Sequence, residues 1–505
     1  MSINSIPARS TSTPASAPAK FNYNPQDPEV MNNDSVTIDK VDPGNGKLST
    51  DTVRLDNKKA IFVFGQLVGV RPDPSYKITP NAEGTYVYPQ GHALATGSNV
   101  FGSVAATVDK YNQVLGELTG KSIDWSFGDK QLQVSPETGE WPNAFYARQF
   151  KGVHFFDYKT TSTGDSGEVA SHETGHAVLD AVRPGYLEGS GAETGAFHEA
   201  FGDVLAMLMT LGNEKAVEAI VAQTEGGDLS SKRNALSDMG EGFGKALGRE
   251  GGIRTSFNNF VYQDPATLPE HGDQDHLGRE VHDFSRLWSG AFYDVLDGIA
   301  DANRAAGMSP KEALMAAGEE SWKLLVGQME NSAASSETTF KEMATNLVAA
   351  DAQYNGGNRQ ELIRNVMVKR ELMPKEGNLE LNLLRGRDSQ PVEREITFGA
   401  SAGPLAGVKM DIVEDQPVFG LLGQSSSVAA EAEKGARLML ADGKVLFTDS
   451  APSFGELFKP DGSVYTAYVA PNEQGEQEFV RVPMAFCEFD HGPDLGHIHG
   501  AGCKH

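Results

Sequence analysis

The sequence predicts an α+β protein with a strand-rich N-terminal lobe, a helical lobe after it, and a smaller strand-rich region at the C-terminal end. Three observations carry this. Residues from about 49 to 88 combine short apolar runs with turn formers. From about 172 to 373 the apolar residues recur mainly at helical spacing. Beyond Pro374 the pattern shifts again, with Asp-Gly pairs in "ADGKVLF" and "KPDGSVY" that signal hairpins.

Taken in order, residues 1–48 open with "MSINSIPARSTSTPASAPAKFN", whose Ser, Thr, Pro and Ala bias predicts a disordered leader. It contains no apolar stretch of the secretory kind. A soluble protein is expected, either cytoplasmic or exported by a route without a cleaved N-terminal signal. "AIFVFGQLVGV", residues 60–70, is too short to span a bilayer and reads as a buried strand. No other segment predicts a transmembrane span.

Phe101, Val104, Val108, Tyr111, Val114, Leu115 and Leu118 mark one face of a helix, and "SIDWSF", "KQLQVS" and "VHFFDY" read as short strands. These place the strand-rich lobe at 49–180. In the helical lobe, 181–374, "GAFHEAFGDVLAMLMTLG" buries Phe197, Phe201, Val204, Leu205 and Leu208. "FSRLWSGAFYDVLDGIA" buries Leu287, Trp288, Phe292, Val295 and Ile299. Ser309-Pro310-Lys311-Glu312 carries an N-cap serine, a proline at the first helical position and a capping-box glutamate. Pro374 stops the last helix, and 375–505 reads as an accessory β-rich domain.

At 505 residues the chain can form two or three domains. Its 69 acids against 43 bases leave a net charge of −26, which argues against a nucleic-acid partner or an anionic membrane surface. Cys487 and Cys503 both lie near the C-terminus, so disulfides do not hold the main body together. The stretch around them, "CEFDHGPDLGHIHGAGCKH", also holds His491, His497, His499 and His505. It is open to three readings: a second metal site, a disulfide-closed loop, or a flexible polar tail.

"SHETGHAVLD" carries the chemistry. On a helix His172 and His176 share a face about 6 Å apart along the axis, so two imidazoles can meet one ion. Glu173 then projects beside them, where a carboxylate can take a proton from water as it attacks a carbonyl. The bland alternative is a helix with two unrelated histidines. Glu199, on the next helix, tips the balance. It sits among Phe197, Ala200, Phe201 and Val204, where an unpaired carboxylate would be costly. As a third ligand it completes a two-histidine, one-glutamate site with the fourth position open. Asp203, one turn on, can hydrogen-bond a ligand histidine and fix its tautomer.

In order and rough spacing these segments resemble the thermolysin-like (gluzincin) zinc metallopeptidases. "HETGHAVLD" is similar to the family's zinc helix, and "GAFHEAFGD" to its third-ligand helix. "PNAFY" resembles the edge segment whose Asn and Ala, here Asn143 and Ala144, hold the substrate backbone. "IRTSFNNF" resembles the segment whose arginine, here Arg254, contacts a substrate carbonyl. "EVHDFSRLWSGAFYDVL" resembles the helix start whose histidine, here His282, stabilises the transition state. Tyr186 reads as a second donor to the developing oxyanion, or as a packed tyrosine. The resemblance implies a two-lobed fold with the zinc helix between the lobes, one catalytic Zn2+ and a peptide or protein substrate.

Four departures stand out. His198 replaces the usual Asn before the third ligand. Thr210 falls where the family places a glutamate for Ca2+, which leaves a calcium site without that ligand. Asp283 to Arg286 lengthen the spacer after His282. No acid aligns as the partner of His282, although Asp273, Asp275 and Glu280 are near in sequence. The expected function is a zinc-dependent endopeptidase with Glu173 as general base. The alternative is a catalytically lapsed peptide-binding or structural zinc protein on the same scaffold. Glu173 argues against it, because a purely structural site has no use for a base beside an open position.

Overall fold

Residues 16–486 are described by a computed structural model, except 29, 32–33, 64–65, 247, 249–250, 376–390, 416–427 and 460–462. The Cys487/Cys503/histidine tail and the first 15 residues of the leader therefore lie outside the described residues.

The described part of the leader holds regular structure, which differs from the expectation of disorder. β1 (Ala17–Tyr23) and β2 (Asp34–Val41) form an antiparallel hairpin with Phe21 opposite Val36. Composition hid the cause: Phe21 is fully buried, stacked on Tyr86 at 4.8 Å and tilted against Phe101 at 5.2 Å. Asn22 seals the contact, donating to the Tyr88 carbonyl and accepting from the Tyr88 amide, both at 2.8 Å. Such paired bonds leave no main-chain group stranded in the interior.

β3 (Val53–Leu55) follows, then β4 (Lys58–Val63) and β5 (Gln66–Pro72), which pair with each other. The apolar run at 60–70 is therefore a hairpin and not a single buried strand. Its chain reverses between Val63 and Gln66, leaving Ile61, Phe62 and Val63 at 39%, 37% and 45% exposure. α1 (Ala95–Thr119) buries the face expected of it and ends at Gly120, whose φ of 75° suits glycine. β6 (Leu132–Ser135), β7 (Ala144–Ala147) and β8 (Gly152–Phe155) come next, with a short β9–β10 ladder (Asp157–Tyr158 and Thr161–Ser162).

α2 (Gly167–Val182) starts at Ser166, whose hydroxyl accepts from the Val169 amide. Then come α3 (Gly185–Glu188), α4 (Ala192–Leu211) and α5 (Glu214–Gln223). β11 (Asp238–Met239) pairs with β12 (Arg254–Thr255) around α6 (Glu241–Ala246). The long α7 (Val281–Ala305), α8 (Pro310–Asn331), α9 (Phe340–Tyr354) and α10 (Gln360–Lys369) complete this half. The Ser309/Glu312 capping box forms, and Thr339 with Glu342 makes a second one. One apolar cluster runs from Phe21 through Trp288 to Met373, so the strand-rich and helical halves share a core.

The C-terminal region is mixed rather than β-rich alone. β13 (Pro391–Thr397), β14 (Lys409–Asp415), β15 (Val445–Phe447), β16 (Ala467–Pro471) and β17 (Gln477–Arg481) form one sheet, with α11 (Val428–Ala441) on its face. The Asp442-Gly443 pair does not make a hairpin; Gly443, at φ 66°, ends α11 and turns the chain into β15. This sheet has its own core of Phe398, Ile412, Val469 and neighbours. The chain then leaves it. β18 (Met484–Phe486) joins the other five-stranded sheet, whose order is β18-β7-β8-β6-β3.

Candidate metal centre

Two helices cross closely at the centre because neither carries a side chain there. A Cβ on Gly175 of α2 would lie 2.8 Å from the Gly202 Cα of α4, and one on Gly202 would lie 2.6 Å from His172 Nδ1. That approach lets Glu199 and Asp203, one turn apart on α4, reach the histidines of α2.

His172 Nε2 lies 3.4 Å from one Glu199 carboxylate oxygen, and His176 Nε2 lies 3.5 Å from the other. The three ligand atoms fall within 4.8 Å of one another, and all three residues are buried. Among the described residues this is the group of His, Cys, Asp and Glu side chains close enough to hold an ion. His176 Nε2 and Glu199 Oε2 are buried without a hydrogen-bond partner. Such atoms cost free energy unless something fills the space between them, and a metal ion does so. Two imidazoles and a carboxylate are a borderline-soft donor set of the kind that binds divalent transition metals.

The surrounding groups orient these ligands. Asp203 Oδ1 lies 2.9 Å from His172 Nδ1, which leaves Nε2 for the ion. Asp203 in turn accepts from Arg254 at 2.8 Å and from Ser289 at 3.1 Å. Burial alone would raise its pKa, but Arg254 and His172 hold it well below the ordinary carboxylate range. Arg254 was expected to face a substrate carbonyl. In the structure its guanidinium is tied to Asp203 and stands 3.8 Å from Glu199.

His282 starts α7, and its Nε2 lies 3.4 Å from Glu199 Oε2. Its partner is Glu280, one of the three nearby acids. Glu280 caps the helix through the His282 amide at 2.8 Å, and both its oxygens lie 3.1 Å from His282 Nδ1. Burial opposes a charged imidazole here, but Glu199 and Glu280 outweigh it and push the pKa up to about 10. Glu173 is wholly buried on α2 between the two ligand histidines.

Sequence reasoning missed the role of His198. Its Nδ1 lies 2.9 Å from His176 Nδ1, so it holds that ring as Asp203 holds the ring of His172. Burial pushes the His198 pKa down to about 4, leaving a neutral ring that can accept a proton-bearing nitrogen. The signal was its place directly before Glu199, where it stood out only as a departure.

The hydrogen bonds of the other expected site residues run to groups outside the candidate ligand set. Tyr186 lines the neighbouring cleft, but its hydroxyl donates to the Ala333 carbonyl at 3.2 Å, as a packed tyrosine does. Asn143 is buried, with its side chain accepting from the Ala144 amide at 2.8 Å. β7, which begins at Ala144, is not an edge strand: β8 flanks one side and β18 the other. Thr210 is buried and donates to the Pro25 carbonyl at 3.1 Å, which ties the N-terminal segment to α4 in place of a calcium ligand.

No protein-family model matches the sequence, and no curated protein does. Among solved structures the chain is similar to a precursor of protealysin, a metalloproteinase from Serratia proteamaculans, at 17% identity. That match covers 64% of this chain and 88% of that one, with a TM-score of 0.34.

Proposed function

We propose that this chain is a zinc-dependent endopeptidase acting on an extended peptide or protein segment. The observation that carries the reading is the convergence of His172, His176 and Glu199 in one buried group, with Glu173 buried on the same helix as the two histidines. His172, His176 and Glu199 would hold a zinc ion, which would supply Lewis acidity at a peptide carbonyl and at a bound water. Asp203 and His198 hold the two imidazoles in the tautomers that leave Nε2 toward Glu199. Glu173 accepts the proton released as water attacks, then returns it to the departing amine. His282, oriented by Glu280, donates to the oxygen on which negative charge develops.

The cleft beside Glu199 and His282 suits a polypeptide, with apolar walls from Leu187, Val281, Leu438 and Met439. The net charge of −26 disfavours nucleic acid. Among the described residues no helix is long and apolar enough to cross a membrane.

Metal analysis of the purified chain, with cleavage of fluorescein-labelled casein, tests the proposal. About one zinc per chain is expected, in keeping with a single His₂Glu site. Chelation should remove activity and added zinc should restore it. Cleavage that persists in metal-free protein would refute the reading. His282→Ala is expected to keep its metal and lose turnover by about 10²–10³, with kcat falling far more than KM rises. Turnover within about threefold of the parent would leave His282 as a helix-start residue only.

A further inference from the structure

A charge taken partly out of water on the wall of a cleft is costly unless a counter-charge meets it. The cleft beside Glu199 and His282 follows that rule except at one position. Besides Glu199 of the candidate metal group, its wall carries the acids Glu280 and Asp442 and the bases Arg279, Lys444 and Arg481. Asp442 accepts from Arg279 at 3.1 and 3.0 Å, one contact to each oxygen. Both oxygens of Glu280 lie 3.1 Å from His282 Nδ1, and Lys444 stands 3.9 Å from the same carboxylate.

Arg481 has no such match. It ends β17, where Nε donates to the Gly189 carbonyl at 2.9 Å and Nη1 to the Thr466 carbonyl at 2.5 Å. Nη1 also lies 3.5 Å from Met439 Sδ. Among the described residues no carboxylate pairs with this guanidinium, and Nη2 has no hydrogen-bond partner. The acid whose charge acts on it is Glu337. That carboxylate is already engaged by the Ser190 amide at 2.6 Å, the Gly191 amide at 2.9 Å and the Thr194 hydroxyl at 2.7 Å. Burial pushes the Arg481 pKa down to about 10, so the group still carries its charge at neutral pH.

A planar guanidinium with an open nitrogen is shaped to take a carboxylate. A neutral side chain seated against it would displace its water and leave it unpaired, which is the condition under which a site rejects an isostere. The overall charge of −26 does not oppose such a ligand, because it is screened beyond about 10 Å at 0.1 M salt, while Arg481 acts at contact distance.

We propose that Arg481 is a specificity-determining residue of this cleft and selects polypeptides that present a carboxylate there. The inference rests on the function proposed above and narrows its substrate class. An acidic side chain and the C-terminal end of a peptide offer the same two oxygens.

The test uses the full chain in a Glu173→Gln background, with short dansylated peptides whose binding is read by fluorescence anisotropy. In one arm the peptides are amidated at the C-terminus and differ only by Glu or Gln, stepped through each position. In the other they contain no acid and differ only by a free or an amidated C-terminus. The carboxylate member is expected to bind about tenfold tighter in one arm, the scale of one charge-assisted hydrogen bond, and that arm identifies the source. Arg481→Gln is expected to erase the preference and Arg481→Lys to keep part of it. A residue that only fastened β17 to Gly189 would change both members of a pair alike. Met439→Glu, which sets an internal carboxylate beside Arg481, is also expected to erase the preference. Equal binding of both members by the parent in both arms overturns the inference, as does a preference that survives in natively folded Arg481→Gln. Should Arg481→Gln lose its native circular dichroism, a preference that survives in Met439→Glu overturns it. Casein cleavage by the zinc-loaded parent is read separately. Its absence sinks the peptidase reading, while the binding arms still decide whether Arg481 selects a carboxylate.

Discussion

Glu173→Gln is expected to retain the metal and lose nearly all turnover. The substitution keeps the size and shape of a side chain that is wholly buried on α2, so packing around His172 and His176 is preserved. It removes the basic oxygen that, on the proposed mechanism, would take the proton of attacking water. Loss of a positioned base typically costs on the order of 10²–10⁴ in rate. Metal content measured alongside kcat separates the two properties. Hydrolysis at the parental rate in a metal-replete variant would move the base to another group.

Glu199→Ala is the complementary case, in which metal and activity leave together. Two imidazoles fill only half of a tetrahedral shell, and the carboxylate is also the negative charge facing His172, His176 and His282 at 3.4–3.5 Å. Its removal is expected to abolish tight metal binding, read as metal remaining after dialysis against a chelator, and to reduce cleavage to background. Full metal content and full activity would remove Glu199 from the site.

Much of this centre was legible because it is local. His172, Glu173 and His176 are set by the helical repeat alone, and Glu199 with Asp203 by the same repeat plus the cost of burying acids among phenylalanines. The helices of the C-terminal half were legible for a similar reason, through periodic apolar faces and the Ser309/Glu312 cap. What was not legible is long-range. Nothing within 270–283 distinguishes Glu280 from Asp273 and Asp275; only the fold of α7 turns its carboxylate back onto His282. Arg254 reads, through the resemblance, as a substrate contact until β11 and β12 bring it to Asp203. The leader reads as disordered by composition, and only Tyr86 and Phe101, distant in sequence, give Phe21 a place to be buried. The exposed Ile61, Phe62 and Val63 of β4 show the converse, an apolar run in a two-stranded ladder.

The pairing of Met484 with Ala147 also bears on the order of events during synthesis. Every other strand of that sheet lies before residue 156, and all three ligands lie before residue 200. On a ribosome, which delivers the N-terminal part first, those strands and helices emerge well ahead of the segment that completes the sheet. Contacts so distant along the chain are also slow to close. A nascent chain therefore passes through an interval in which both ligand-bearing helices are made and β18 is not yet paired with β7, and a metal ion would have its easiest entry to the candidate group then.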